Sequence, residues 1–346
     1  MDFTRLTPHL DDPERRAQLR RIEGELRDHP FPPQLVVENT SRCNLRCLHC
    51  AHKSLVRPRR HMDEALWQRI VEEVAAESPD CELWPTFYGE ALALRDRLWA
   101  RLDHAHRAGC RNLVLNTNGT LLDRWDTIDK ALASPLKRLI ISLDGLSADS
   151  FEALRVGARR DQVYAAVEEL CRRRQARGLR YPLIVAQFSV MPQNAHEAEA
   201  FRAHWQARGA EVKIRPMLEW GGMVRARTIR HDTGFRCACP WGNNTMAILQ
   251  DGRVAACAVD YEGRFSVGRI GEITLREAWR RLGEQLRAPH RAHRWDAVPE
   301  ICRGCGDWQT AGAQYTPETV PDTRPFWFAA SAPAIADAAV APPDAG

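Results

Sequence analysis

Between residues 34 and 217 six short apolar runs alternate with five stretches of helical period. The strand-like runs are QLVVENT (34–40), ELWPTF (82–87), NLVLNT (112–117), RLIISLDG (138–145), LIVAQFSVM (183–191) and EVKIRPM (211–217). The helical stretches are DEALWQRIVEEVAAE (63–77), a segment around 93–108, another near 122–133, SFEALR followed by DQVYAAVEELCRRRQAR, and AHEAEAFRAHWQARG (195–209). Each helix carries the chain back to the edge from which the last strand began, so the strands run parallel under a layer of helices. Six such units predict an α/β chain folded as a partial (β/α)6 TIM-like barrel, short of the eight units of a closed one. Chemistry in parallel sheets gathers at the carboxyl ends of the strands. Glu90, Asn116, Asn118, Ser142, Asp144 and Arg215 fall there.

Asp12-Pro13 ahead of ERRAQLRRIEGELRDH reads as a capped helix with proline at its first position, ended by Pro30, Pro32 and Pro33. Past residue 220 the alternation stops. TMAILQ and RVAACAV look like short strands and TLREAWRRLGEQLR like a helix, with five cysteines among them. The expected organisation is an N-terminal helix over 1–31, the barrel over 32–222, a small metal-stapled domain over 223–315 and a tail over 316–346. The last stretch of that tail, AASAPAIADAAVAPPDAG, has little to bury and is expected to be disordered.

The net charge is only +4, and the basic residues are spread along the chain, which argues against a dedicated nucleic-acid surface. No apolar run approaches the ~18 residues of a membrane span. The charged N-terminus has no secretory apolar stretch, so a cytoplasmic protein is expected. Eleven cysteines are many for such a chain. In a reducing compartment they point to metal binding or catalysis rather than to disulfides. Cys81, Cys110 and Cys171 stand alone and read as small core residues. The others form two groups.

The first group, SRCNLRCLHC, sets Cys43, Cys47 and Cys50 just after the first strand. Zinc prefers four ligands, whereas three close thiolates suit a [4Fe–4S] cube with one iron free for a small ligand. In this spacing and in its six-unit barrel the chain resembles the radical S-adenosylmethionine (SAM) superfamily. The resemblance implies that the free iron chelates SAM. One electron then releases a 5′-deoxyadenosyl radical, which abstracts hydrogen from a substrate. It also implies an electron donor such as flavodoxin or ferredoxin.

His49 occupies the place before the third cysteine, where the family usually has an aromatic residue near the adenine. Gly89-Glu90 matches the core of the family's Gly-Gly-Glu-Pro loop, which holds the SAM amino group, although Tyr88 and Ala91 depart from it. Ser142 and Arg155 match positions that hold the SAM carboxylate and ribose. From the residues alone other roles stay open. Glu90 could be a helix-start acid, Ser142 a turn cap, Arg155 a surface charge and His49 structural. Asn116 and Asn118 of NTNGT suit either the cofactor site or an Asn-Gly turn.

The second group resembles the auxiliary-cluster domains of that superfamily, SPASM and its shorter form, twitch. No cysteine follows Cys305, which implies twitch and one auxiliary [4Fe–4S] cluster on Cys239, Cys257, Cys302 and Cys305, with Cys237 a rival to Cys239. Taken alone, four thiolates suit a structural zinc better; beside the first group the resemblance implies an iron cluster.

The resemblance extends to twitch enzymes of the 2-deoxy-scyllo-inosamine dehydrogenase type. It implies oxidation of an alcohol to a ketone on a sugar, aminocyclitol or nucleoside, in natural-product and antibiotic biosynthesis. Arg215 is the candidate base beside the alcohol; a salt-bridging role is its structural alternative. Other readings are a peptide maturase, disfavoured because no peptide-recognition domain of ~80 residues precedes Cys43; a redox-neutral dehydratase, epimerase or decarboxylase; and a zinc-stapled binding protein without catalysis.

Overall fold

The computed structural model describes residues 10–226, 229–231 and 234–311. The tail expected over 316–346 lies outside the described residues. Helix α1 spans Pro13–Glu25, and the Asp12 carboxylate accepts the Glu14 N–H at 2.9 Å at its start. It stops at Glu25, well before the prolines expected to end it.

Strands β1 (Gln34–Val37), β2 (Glu82–Trp84), β3 (Asn112–Thr117), β4 (Arg138–Ser142), β5 (Leu183–Val190) and β6 (Glu211–Pro216) lie side by side in chain order, all parallel. Helices α2 (Glu64–Glu77), α3 (Asp96–Ala108), α4 (Thr127–Ala133), α5 (Ala148–Leu154), α6 (Arg160–Ala176) and α7 (Ala198–Gln206) alternate with them. β1, β2 and β4 end three residues short of their apolar runs, because there the chain turns into the site.

Alternation along each strand sorts side chains to two faces. Leu35, Leu83, Leu115, Ile141, Phe188 and Ile214 join the main core, which Trp67, Ile70, Leu102 and Trp205 of the helices also enter. Burying each such side chain stabilises the fold by roughly 1.5–3 kcal/mol. The opposite face lines the lumen, where Val114, Ile140 and Val185 form a small apolar layer against Trp84. The register places Ser142, Gln187 and Lys213 in one row across β4, β5 and β6, and Ser189 opposite Arg215 in a row nearer the strand ends.

The segment after 236 does not stand apart from this sheet. After α8 (Pro240–Asn244), strand β7 (Thr245–Ile248) pairs in parallel with β1. β8 (Arg253–Ala255) and β9 (Ser266–Arg269) follow antiparallel, completing nine strands in the order β6-β5-β4-β3-β2-β1-β7-β8-β9. α9 (Leu275–Leu282), a π-helical turn at Gly283–Arg287, α10 (Ala288–Arg291) and α11 (Glu300–Arg303) close the end. Among the described residues no helix is long and apolar enough to cross a membrane.

Candidate active site and auxiliary cysteine site

The loop after β1 carries Cys43, Cys47 and Cys50, all partly buried and all on the wall of a lumen cavity of about 270 Å³. Burial pushes the Cys43 thiol up to about 12 and the Cys50 thiol to about 11, and it raises Cys47 too. Such thiols ionise when a positive metal centre replaces the lost solvation.

Gly89 seats this loop. A Cβ there would lie 2.0 Å from the Thr40 carbonyl oxygen, and the Glu90 N–H donates to the Arg42 carbonyl at 2.8 Å. The loop after β2 is thereby pressed against the chain that leads into Cys43. Glu90 lines the cavity, but its carboxylate is engaged by the protein. It accepts from Thr117 Oγ1 at 2.7 Å, the Asn118 N–H at 2.8 Å and the Leu92 N–H at 3.0 Å. The last of these caps a short 3-10 turn at Ala91–Leu94, so the helix-start role considered for Glu90 is present. Asn118 donates to Asn44 Oδ1 at 2.9 Å and lies 3.9 Å from the Cys43 sulfur, while Gly119 turns the chain with φ of 78°. Asn118 thus touches the cysteine loop and also opens the turn.

Asp144 is the residue that sequence reasoning placed at a strand end and then left out of the site. It is wholly buried and has a φ of 59°. Its carboxylate accepts from the Ser189 N–H at 2.6 Å, pairs with Arg155 and lies 3.0 Å from His49 Nε2. Burial alone would raise its pKa, yet the Arg155 and His49 charges hold it well below the usual carboxylate range. Arg155 also donates to the Leu143 carbonyl at 3.2 Å and reaches within 4.0 Å of the Cys47 sulfur. Arg155 is therefore a buried, paired cation behind the cysteine loop rather than a surface charge. Ser142 donates to Asn116 Oδ1 and accepts from Gln187, both at 3.1 Å, giving a polar chain across the lumen. Arg215 lines the cavity without a carboxylate within ion-pair distance, so the salt bridge considered for it is absent among the described residues; its side chain donates to the Pro216 carbonyl at 3.4 Å.

Cys239, Cys257, Cys302 and Cys305 line one smaller cavity together. Cys237 does not. It packs with Leu10, Leu19 and Trp308, and burial pushes its thiol up to about 12. His290 also lines this cavity, and among the described residues neither of its buried ring nitrogens has a hydrogen-bond partner. Among the described residues no three Cys, His, Asp or Glu side chains meet closely enough to hold a single ion. Cys81, Cys110 and Cys171 are buried in the main core.

The two cavities share a wall, since Trp241 and Val259 belong to both and Ala258, next to Cys257, faces the larger one. The segment after β6 straps them together. Trp220 Nε1 donates to the His49 carbonyl at 2.7 Å, and Asp307, two residues after Cys305, accepts the Glu219 and Gly221 N–H groups at 2.6 and 2.9 Å.

Residues 37–202 match the Radical SAM superfamily, and residues 237–306 match the SPASM iron-sulfur cluster-binding domain. A PqqA peptide cyclase from Xanthomonas axonopodis pv. citri is 27% identical over 322 residues, covering 80% of each chain. Among solved structures, BtrN in complex with AdoMet and 2-DOIA superposes with a TM-score of 0.55 at 17% identity, over 81% of this chain and 94% of BtrN. Streptococcus suis SuiB bound to precursor peptide SuiA gives 0.62 at 14% identity, over 85% and 73%. These likenesses show the fold: a parallel α/β partial barrel with a C-terminal SPASM domain.

Proposed function

The chain joins a Radical SAM domain to a SPASM iron–sulfur domain, and on that premise we propose that it oxidises an alcohol carbon of a small polar molecule, a sugar, aminocyclitol or nucleoside, to a ketone. Cys43, Cys47 and Cys50 would hold the SAM-binding [4Fe–4S] cluster, and Cys239, Cys257, Cys302 and Cys305 one auxiliary [4Fe–4S] cluster. The fit rests on the donor set: three thiols of one loop on the open wall, four on the smaller cavity, and the unbonded His290 as a hydrogen-bond donor beside them. When bound, these groups supply hydrogen-atom abstraction and a second one-electron centre, with flavodoxin or ferredoxin as the proposed donor.

The shared wall of Trp241 and Val259 carries the reading. A molecule bound in the lumen would lie across that wall from the auxiliary cysteines, where a substrate radical could lose its second electron. The chain's own residues do the rest. Asp144 orients His49 and Arg155 behind the cysteine loop, Glu90 and Gly89 fix the loop's position, and Asn116, Ser142 and Gln187 offer hydrogen bonds to hydroxyl groups. Arg215 is proposed as a binding group and not as the base, because a guanidinium keeps its proton in proteins.

Anaerobic assay of the reconstituted enzyme against candidate alcohols tests the proposal. The expected product is lighter than the substrate by two hydrogens and forms with 5′-deoxyadenosine. A product of unchanged mass would instead mean a redox-neutral reaction. The peptide cyclase likeness over 80% of both chains supports a second reading, modification of a peptide. A cross-linked peptide product would establish it.

A further inference from the structure

Three basic side chains of the lumen have carboxylate partners. Arg138 pairs with Glu82, and Arg155 and His49 with Asp144. Two others do not. Lys213 is nine-tenths buried and lines the cavity, and its ammonium makes no hydrogen bond or ion pair among the described residues. Arg215 lies two positions on, where strand geometry sets its side chain on the same face, about 7 Å along the wall. Among the described residues only its own neighbour's carbonyl accepts from its guanidinium.

Two like charges buried in one wall without a directly paired counter-ion are costly. The groups around them do not relieve the cost. Gln187 and Ser142 share the Lys213 row, and Glu82 is already occupied by Arg138, Gln34 and Trp84. Asp144 acts on Arg215 from a distance, but Arg155 and His49 occupy it. Burial first, then Arg215 and Arg138, press the Lys213 ammonium down to about 7. A positive wall that the protein leaves uncompensated is matched when an anion enters the lumen.

We propose that Lys213 and Arg215 form an anion subsite, and that the substrate carries a carboxylate or phosphate group which these two residues bind. The inference rests on the reading of this cavity as the substrate site, and it narrows that substrate to an acidic one. Arg215 supplies a planar fork that can grip two oxygens, and Lys213 a point charge deeper in the lumen.

The test uses the reconstituted enzyme with SAM already bound, titrated by calorimetry with inorganic phosphate and, separately, with succinate. The expected result is one site for at least one of these anions, weakened tenfold or more by Lys213→Gln or Arg215→Gln and kept by Lys213→Arg, which preserves the charge and reports that the fold is intact. Tighter binding of phosphate than of succinate, or the reverse, assigns the group. The proposal is overturned if wild type binds neither anion, or if both glutamine variants bind it as tightly as wild type. It is also overturned if the glutamine variants lose SAM affinity and keep the anion, which would make the pair a cofactor contact. Failure of the alcohol-oxidation reading shows separately, in the product mass, and leaves the anion titration untouched.

Discussion

Replacing Asp144 with asparagine keeps the size of the side chain and the acceptor for the Ser189 N–H, but turns an amide donor toward Arg155 and His49, which are themselves donors. Arg155 is then left buried with the Leu143 carbonyl and the Cys47 sulfur as its contacts. Removing one partner of a buried pair costs about 3–5 kcal/mol, because the other charge stays buried and uncompensated. That is a large part of the roughly 5–15 kcal/mol that holds a typical protein folded. With a urea slope of about 3 kcal/mol per M, the midpoint should fall by ~1–1.7 M. Tryptophan fluorescence during anaerobic urea titration measures it. The double variant Asp144→Leu, Arg155→Met removes both charges and should be less destabilised than Asp144→Asn alone. If Asp144→Asn costs under about 1 kcal/mol, as an exposed pair would, or if the double variant costs the sum of its parts, the pair is not the support described here.

Gly89→Ala forces a methyl group into the Thr40 carbonyl, so the loops must separate; iron loading at Cys43, Cys47 and Cys50 should drop sharply, read by iron content and absorbance near 400 nm, and normal loading would refute the seating role. Cys239→Ser should lose about half of the iron expected for two four-iron clusters while Cys237→Ser loses none; equal loss from both would reinstate Cys237 as a ligand. Anion affinity should depend on pH through Lys213. Its ammonium binds the anion, and in the empty site that ammonium is lost as pH rises through about 7, so affinity should fall about tenfold per unit above that point. An affinity that stays flat between neutral pH and the lysine range would remove Lys213 from the subsite.

The barrel was legible because six apolar runs separated by helical periods admit few arrangements, and β3 begins and ends where its pattern does. Polar roles were less so. Asp144 falls at the end of the run RLIISLDG without a motif of its own, and only its positive φ and three partners mark it as a hub. EVKIRP alternates charged and apolar residues, the pattern of a strand with one face in water. Here Lys213 and Arg215 line the lumen, and nothing local distinguishes the two cases. The pairing of β7 with β1 was invisible for the opposite reason. TMAI suits any small sheet, and its partner lies more than two hundred residues away.

That distant pairing governs how the molecule is made. β1 is an inner strand in the finished sheet, yet during synthesis its second edge stays open until the ribosome has delivered β7. A partner so remote in sequence is late to arrive, and an unpaired strand edge invites association with other chains meanwhile. The loop bearing Cys43, Cys47 and Cys50 leaves the end of that same strand, and the strap that bonds His49 comes from residue 220. A nascent chain therefore presents these thiols before the wall around them is complete, and iron delivery to the two sites is tied to a single late closing event.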